Sequence, residues 1–131
     1  MRKKVVKNPL SKQSKDKVWI RNVLKLLFEH GAVTLILGKA KRLKSVVDSL
    51  LSRARTESLM SIRQNEKQVG DYGLAKKIAA VAKGSKRNSG FVSIKKVDVR
   101  RGDGATRAKI ELLDFVKPEK KITPVIKNKN A

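Results

Sequence analysis

The side chains in this sequence that could do chemistry are almost all cationic. Of 131 residues, 33 are lysine or arginine and 11 are aspartate or glutamate, which gives a formal net charge of +22 at pH 7. Lysine and arginine neutralise anions and donate hydrogen bonds to phosphate oxygens. Because a compact chain this charged repels itself, we expect it to bind a polyanion, and nucleic acid is the first candidate.

The residue types on which most catalytic and metal sites depend are scarce. The sequence has no cysteine and a single histidine, His30. This excludes disulfides, thiol nucleophiles and iron–sulfur ligation, and it leaves no histidine cluster for a metal. His30 follows Glu29, but no nucleophile accompanies the pair. We therefore expect no enzymatic activity, no cofactor, no metal and no small-molecule substrate, with an RNA-modifying enzyme as the remotest alternative.

Membrane attachment is also disfavoured. No stretch of the sequence approaches the roughly 20 apolar residues of a membrane span, and the basic N-terminus lacks the apolar segment of a signal peptide. The bulky apolar residues recur in segments that predict a core rather than a membrane-binding face. We expect a protein of the cytoplasm that has no membrane partner.

Composition divides the chain into three parts. Residues 1–17 carry seven cations against one acid and have little to bury, so they predict a basic arm that becomes ordered when phosphates neutralise its lysines. Residues 117–131 are again polar and contain two prolines, which predicts a flexible tail. The apolar periodicity between them, over residues 18–116, predicts a single domain.

Helical periodicity dominates the first part of that domain. Apolar residues at steps of three and four predict helices over residues 18–30 and 39–55. Asp16 lies near the start of the first helix, where it can cap free N–H groups, and Asp48 can pair with Lys44 in the second.

Shorter elements complete the pattern. The apolar, β-branched residues 32–37 predict a brief buried strand between the two helices, and residues 56–69 and 74–84 predict two further helices joined by a turn at residues 70–73. A polar loop at residues 83–90 follows.

The last part of the domain predicts a hairpin. Residues 91–99 and 108–116 have the composition of strands, and the glycine-containing residues 100–105 form the turn between them. Alternation is regular in the second strand but changes parity within the first, which predicts a bulge.

The aromatic residues narrow the kind of nucleic acid. They number five, are scattered singly, and mostly sit where the core needs them. Single-strand binders need stacking platforms, so the pattern favours recognition of folded RNA, or of duplex DNA, through phosphates and shape. The two helices before Thr56 are separated by an apolar segment rather than a tight turn, which disfavours a helix-turn-helix. Folded RNA is therefore the better partner.

Several separated blocks, in order and in register, resemble one family. They are residues 21–31 (RNVLKLLFEHG), Lys39-Ala40-Lys41-Arg42-Leu43, Val46-Val47 with Leu50-Leu51, and Gly90-Phe91 through Ile94, Lys96, residues 100–103, Ala105 and Ile110-Glu111-Leu112. Over about residues 10–113 the chain resembles the bacterial-type family of large-subunit ribosomal protein seventeen.

The resemblance implies an α+β fold in which helices pack on a small three-stranded mixed sheet. It also implies a structural constituent of the large ribosomal subunit, without catalytic activity. Its basic N-terminal arm would insert into 23S-type ribosomal RNA, and neighbouring large-subunit proteins would be its other partners. The alternative is a free-standing nucleoid-associated protein or RNA chaperone with the same charge.

Fifteen cations are the candidate contacts to ribosomal RNA phosphates. They are Arg2, Lys3, Lys4, Lys7, Lys12, Lys15 and Lys17 in the arm, Arg21 in the first helix, Lys39, Lys41 and Arg42 at the start of the second, Lys86 and Arg87 in the loop, and Arg100 and Arg101 in the hairpin.

Overall fold

A computed structural model describes residues 9–115, with side chains from Lys15 onward. Within them lie four helices and three strands: α1 (Pro9–His30), β1 (Ala32–Ile36), α2 (Leu37–Ala54), α3 (Leu59–Val69), α4 (Tyr72–Gly84), β2 (Val92–Val99) and β3 (Thr106–Leu112). The predicted α+β class is confirmed. Residues 1–8 and 116–131, and with them part of the predicted arm and the predicted tail, lie outside the described residues.

The three strands form one sheet in the order β1-β3-β2, with β3 in the centre. Both neighbours run antiparallel to β3, so the mixed sheet implied by the resemblance is wrong in strand direction. For β2 the reason is the short connection of residues 100–105, because a parallel neighbour needs a crossover of a dozen or more residues. The predicted bulge in β2 is confirmed between Lys96 and Asp98.

The helices cover one face of the sheet. Along β3, Ala108, Ile110 and Leu112 are buried against them, whereas Lys109 and Glu111 alternate onto the open face. Helix α2 supplies the largest share of the core: Ala40, Leu43, Val47, Leu50, Leu51 and Ala54. The helical periodicity predicted for residues 39–55 is confirmed: of the apolar residues Leu43, Val46, Val47, Leu50, Leu51 and Ala54, only Val46 is partly exposed.

Helix α1 begins at Pro9, more than two turns before the predicted start at residue 18. Proline favours the first position of a helix, and the mostly polar residues that follow are acceptable helix formers. Asp16 therefore lies inside the helix and does not cap it. Its Oδ2 instead accepts a hydrogen bond from Nη2 of Arg42 at 3.1 Å.

Asp48 also has a different partner from the predicted one. The helical spacing predicts a pair with Lys44, but Oδ1 of Asp48 accepts a hydrogen bond from the backbone N–H of Phe91 at 3.1 Å. A backbone N–H that enters the core needs an acceptor, and the Asp48 carboxylate is the group that reaches it. The bond ties the loop before β2 to the middle of α2.

The predicted turn between the third and fourth helices is confirmed and is very short. Gly70 ends α3 with a φ of 75°, a conformation that glycine adopts without strain. Asp71 caps α4, because its side chain accepts hydrogen bonds from the N–H groups of Gly73 and Leu74. The turn thus consists of Gly70 and Asp71 alone.

Gly31, which joins α1 to β1, has no room for a side chain. Its φ is +78°, and a Cβ added there would lie 2.5 Å from Cδ1 of Phe115. We expect Gly31→Ala to lower the free energy of unfolding by about 1–3 kcal/mol, measured by urea denaturation. Gly84→Ala is the matched control, because a Cβ there meets nothing within 4 Å. Equal stability of the two variants would show that the junction tolerates a side chain.

Candidate nucleic-acid interface

One end of the sheet gathers segments that are far apart in the sequence. Ile36, at the end of β1, pairs with Arg107, and Val99 pairs with Thr106 beside the β2–β3 hairpin. Helix α2 starts directly after Ile36, and the N-terminal half of α1 lies next to it. We call this region the basic end and define it by six cations: Lys15, Lys39, Lys41, Arg42, Arg100 and Arg101.

A concavity at the basic end brings predicted residues of α1 and α2 together. It is lined by Lys15, Asp16, Trp19, Ile36, Gly38, Lys39 and Arg42. The Nζ atom of Lys39 lies 5.3 Å from the centroid of the Trp19 ring, within the range of a cation–π contact. Asp16, the one acid in this lining, is engaged by Arg42. The surface left for a ligand is therefore cationic and partly aromatic.

The start of α2 makes this end more positive. A helix N-terminus is stabilised by acids, yet α2 has none in its first turn, and Ile36 gives it no side-chain cap. Its first N–H groups are consequently open to an anion. Lys39 and Lys41 stand in the first two turns, where a cation opposes the helix dipole. Their charge is of no benefit to the helix, but it favours an anionic partner.

A second concavity lies on the other side of α1, against α2 and α3. It is lined by Lys17, Ile20, Arg21, Val46, Gln64, Lys67 and Gln68. The guanidinium of Arg21 packs on Gly70, where an added Cβ would lie 2.7 Å from Cζ. Its Nε is buried without a hydrogen-bond partner among the described residues. Sequence reasoning missed Lys67, because nothing in the sequence of α3 indicates which face meets α1.

The predicted residues Lys86 and Arg87 lie at the opposite end of the sheet. Their loop leads into the start of β2, where Val92 pairs with Leu112. The eight residues of β2 separate them from the basic end by roughly 25 Å. Arg87 donates from Nε to Oδ2 of Asp114 at 3.1 Å, whereas Lys86 is exposed. These two cations are therefore not part of the basic end.

The hairpin holds Arg100 in an ion pair. Its Nε donates to Oδ1 of Asp103 at 3.0 Å. The Arg100 side chain, together with the N–H of Ala105, lowers the pKa of the Asp103 carboxyl to about 2. Arg101 is exposed and forms no ion pair within residues 15–115.

The structure describes only some of the candidate residues in the arm. Arg2, Lys3, Lys4 and Lys7 lie outside the described residues. Lys12 lies in α1, but side chains are described only from Lys15 onward. All five stay predictions.

The acids on the open face of the sheet are already engaged by cations. Glu111 pairs with both Lys95 and Lys109, and Asp98 pairs with Arg107. The charge of that face is therefore nearly balanced. At the basic end, by contrast, four cations have no ion pair within the described part of the chain: Lys15, Lys39, Lys41 and Arg101. Their charge is left for a partner.

An α+β body that presents a cationic end of this kind is typical of a structural nucleic-acid-binding protein. Within the described range, no three potential metal ligands lie together, and no helix is long and apolar enough to cross a bilayer.

Comparison with known proteins identifies the family. A family model described as Ribosomal protein L17 matches residues 19–113. The large ribosomal subunit protein bL17 of Halothermothrix orenii is 37% identical over 100 residues, which cover 75% of this chain and 88% of that protein. Its namesake in Coprothermobacter proteolyticus is 37% identical over 91 residues, covering 68% and 78%. The namesake in Cutibacterium acnes is 30% identical over 109 residues, covering 79% and 60%.

The chain belongs to the ribosomal protein L17 family. The resemblance noted in the sequence is confirmed, and the chain is a structural ribosomal protein rather than an enzyme.

The Asp103 carboxyl gives a direct test of the hairpin ion pair. In the free protein we expect it to titrate at about 2, below its ordinary value of 3.8, as followed by carboxyl-carbon NMR. Because the folded pKa is the lower one, the contribution to stability is complete above about pH 4 and is lost as the pH falls toward 2. Arg100→Gln should return the pKa toward 3.8.

The Asp71 carboxyl is the internal control for this titration. Its pKa is lowered by the N–H of Leu74 and by Lys25, so Arg100→Gln should leave it unchanged. If the pKa of Asp103 is the same in the intact protein and in Arg100→Gln, the ion pair does not form in solution.

Proposed function

We propose that this chain is a constituent of the large subunit of the cytoplasmic ribosome, where it supports translation by binding folded ribosomal RNA through phosphates. The assignment to the large subunit is supported by its relatives, which are large ribosomal subunit proteins bL17. The observation that favours RNA is the basic end, where cations of α1, α2 and the hairpin stand together while the acids near them are engaged by arginines. Neighbouring large-subunit proteins are its other proposed partners.

The proposed mechanism is electrostatic. Each lysine or arginine that neutralises a phosphate releases condensed counterions from the RNA, and the gain in free energy depends on the salt concentration. The folded body contributes by fixing where its cations lie, since α2 is anchored by a fully buried face. The positive end of the α2 dipole points to the same place. Phosphates are therefore bound in a set orientation relative to the sheet.

Two double variants distinguish the contribution of the basic end to RNA binding from the contribution of total net charge. Lys41→Gln with Arg101→Gln removes two cations of the basic end that have no ion pair within the described range. Lys95→Gln with Lys109→Gln removes the same charge from the open face of the sheet, where both lysines pair with Glu111. The assay is filter binding to large-subunit ribosomal RNA over a range of salt concentrations. We expect the log–log salt slope to fall by about two for the first variant and by less than one for the second.

Equal slopes for the two variants would show that total charge, rather than the basic end, governs binding. Sedimentation tests the ribosomal assignment itself. A subunit constituent should stay with large subunits through a high-salt wash, whereas a nucleoid-associated protein or RNA chaperone should be released.

The N-terminal arm should account for a separate share of the salt dependence. Because α1 begins at Pro9, deletion of residues 1–8 removes Arg2, Lys3, Lys4 and Lys7 without shortening the helix. We expect the salt slope in the same binding assay to fall by about 2–4. A truncated protein with the slope of the intact chain would show that the arm does not contact RNA.

A further inference from the structure

We propose that the concavity at Trp19 receives one unstacked base of the RNA, which lies against the indole ring while Lys15 and Lys39 bind the adjoining phosphates. This inference rests on the proposed function and deepens it. Binding through phosphates alone needs no aromatic surface, so a base site adds a contact that the charge of the chain does not predict.

The indole ring of Trp19 contacts both the core and the side chain of an exposed lysine. Trp19 is partly buried and packs against the core cluster. The Nζ atom of Lys39 lies 5.3 Å from the ring centroid, and Trp19 lines the concavity, so part of its side chain adjoins open space. Lys39 itself is exposed. A lysine side chain can move aside from the ring at little cost, and a base can take its place or be clasped beneath it.

The surroundings of the ring leave space for a flat heterocycle. The concavity measures about 520 Å³, within the range of roughly 300–1,000 Å³ typical of small-ligand sites. Gly38 forms part of its wall, and a Cβ added at Gly38 would meet nothing within 4 Å. Ile36 supplies a further apolar surface. Together with Trp19, these residues supply an apolar surface suited to a base, beside the cations and the start of α2 that would bind its phosphates.

The rim of the concavity has the charge that a nucleotide requires. Lys15, Lys39 and Arg42 stand around it, and the carboxylate of Asp16 is engaged by Arg42 at 3.1 Å. An aromatic face beside cations is the arrangement with which proteins bind an unstacked base and its phosphates. An acidic peptide would satisfy the cations but would leave the ring without a partner, so the combination favours a nucleotide.

Trp19 is the only tryptophan in the chain, and its fluorescence therefore reports on this site alone. The probes are a short oligoadenylate and an abasic oligomer of the same length and charge, both end-labelled so that fluorescence anisotropy gives their affinity. We expect oligoadenylate to quench Trp19 and the abasic oligomer to leave it nearly unquenched. Oligoadenylate should also bind roughly 5- to 150-fold more tightly.

A pair of variants assigns the preference to the ring. Trp19→Leu should bind the two oligomers with equal affinity. Tyr72→Leu is the matched control, because Tyr72 is a second aromatic side chain beneath a lysine, with Nζ of Lys76 at 4.6 Å, but it adjoins Asp71 instead of a cationic rim. This control should retain the preference for bases. Circular dichroism and thermal melts establish that both variants fold.

Three outcomes would overturn the proposal: equal quenching by the two oligomers, equal affinity of the intact protein for them, or a preference that survives Trp19→Leu. If Trp19→Leu does not fold, two measurements decide the question. They are the quenching of the intact chain by each oligomer and the affinity of Trp19→Phe for each oligomer. Strong binding of both oligomers without a base preference would leave the proposed function standing and remove the base site. If neither oligomer binds at low salt, the base site is removed, and filter binding to large-subunit ribosomal RNA tests the proposed function separately.

Discussion

Helix α2 packs its apolar face against α4, α3 and the sheet, and this packing fixes where the other elements lie. Leu43, Val47 and Leu50 are completely buried on that face. Because helical geometry places the remaining side chains on the opposite side, burial of this stripe necessarily turns Lys41 and Arg42 toward solvent. The hydrophobic effect thus orients the cationic surface, although it acts on different residues.

The second constraint is the repulsion among the cations. The domain reduces it locally: Glu111 and Asp98 pair with cations on the open face of the sheet, and Asp103 pairs with Arg100 in the hairpin. Exposed ion pairs of this kind add little stability. What these ion pairs change is the distribution of charge over the surface. They make the open face of the sheet nearly neutral and leave cations that are unpaired among the described residues at the basic end, where a phosphate-rich partner could bind. The proposed binding of RNA would therefore give the domain a defined orientation.

The candidate site could be predicted from the sequence only in part. The excess of cations identified Lys15, Lys39 and Arg42, and folding brings these three to one concavity. The same reasoning grouped them with Arg87, which the fold places at the far end of β2 beside Asp114. Charge counts treat every lysine and arginine alike. Which cation has a neighbouring carboxylate depends on contacts between distant residues, such as Arg87 and Asp114, which are 27 residues apart in the chain.

The sequence by itself determined the net charge, the helical and strand periods, the hairpin and the bulge in β2, because each of these depends on neighbouring residues. The tertiary structure decided the antiparallel pairing of β1 with β3, the contact of Asp16 with Arg42 and the position of Lys39 over Trp19. These contacts join segments separated by many residues. Local periodicity shows which face of an element is apolar, but only the packing of those faces against one another determines which surface residues become neighbours.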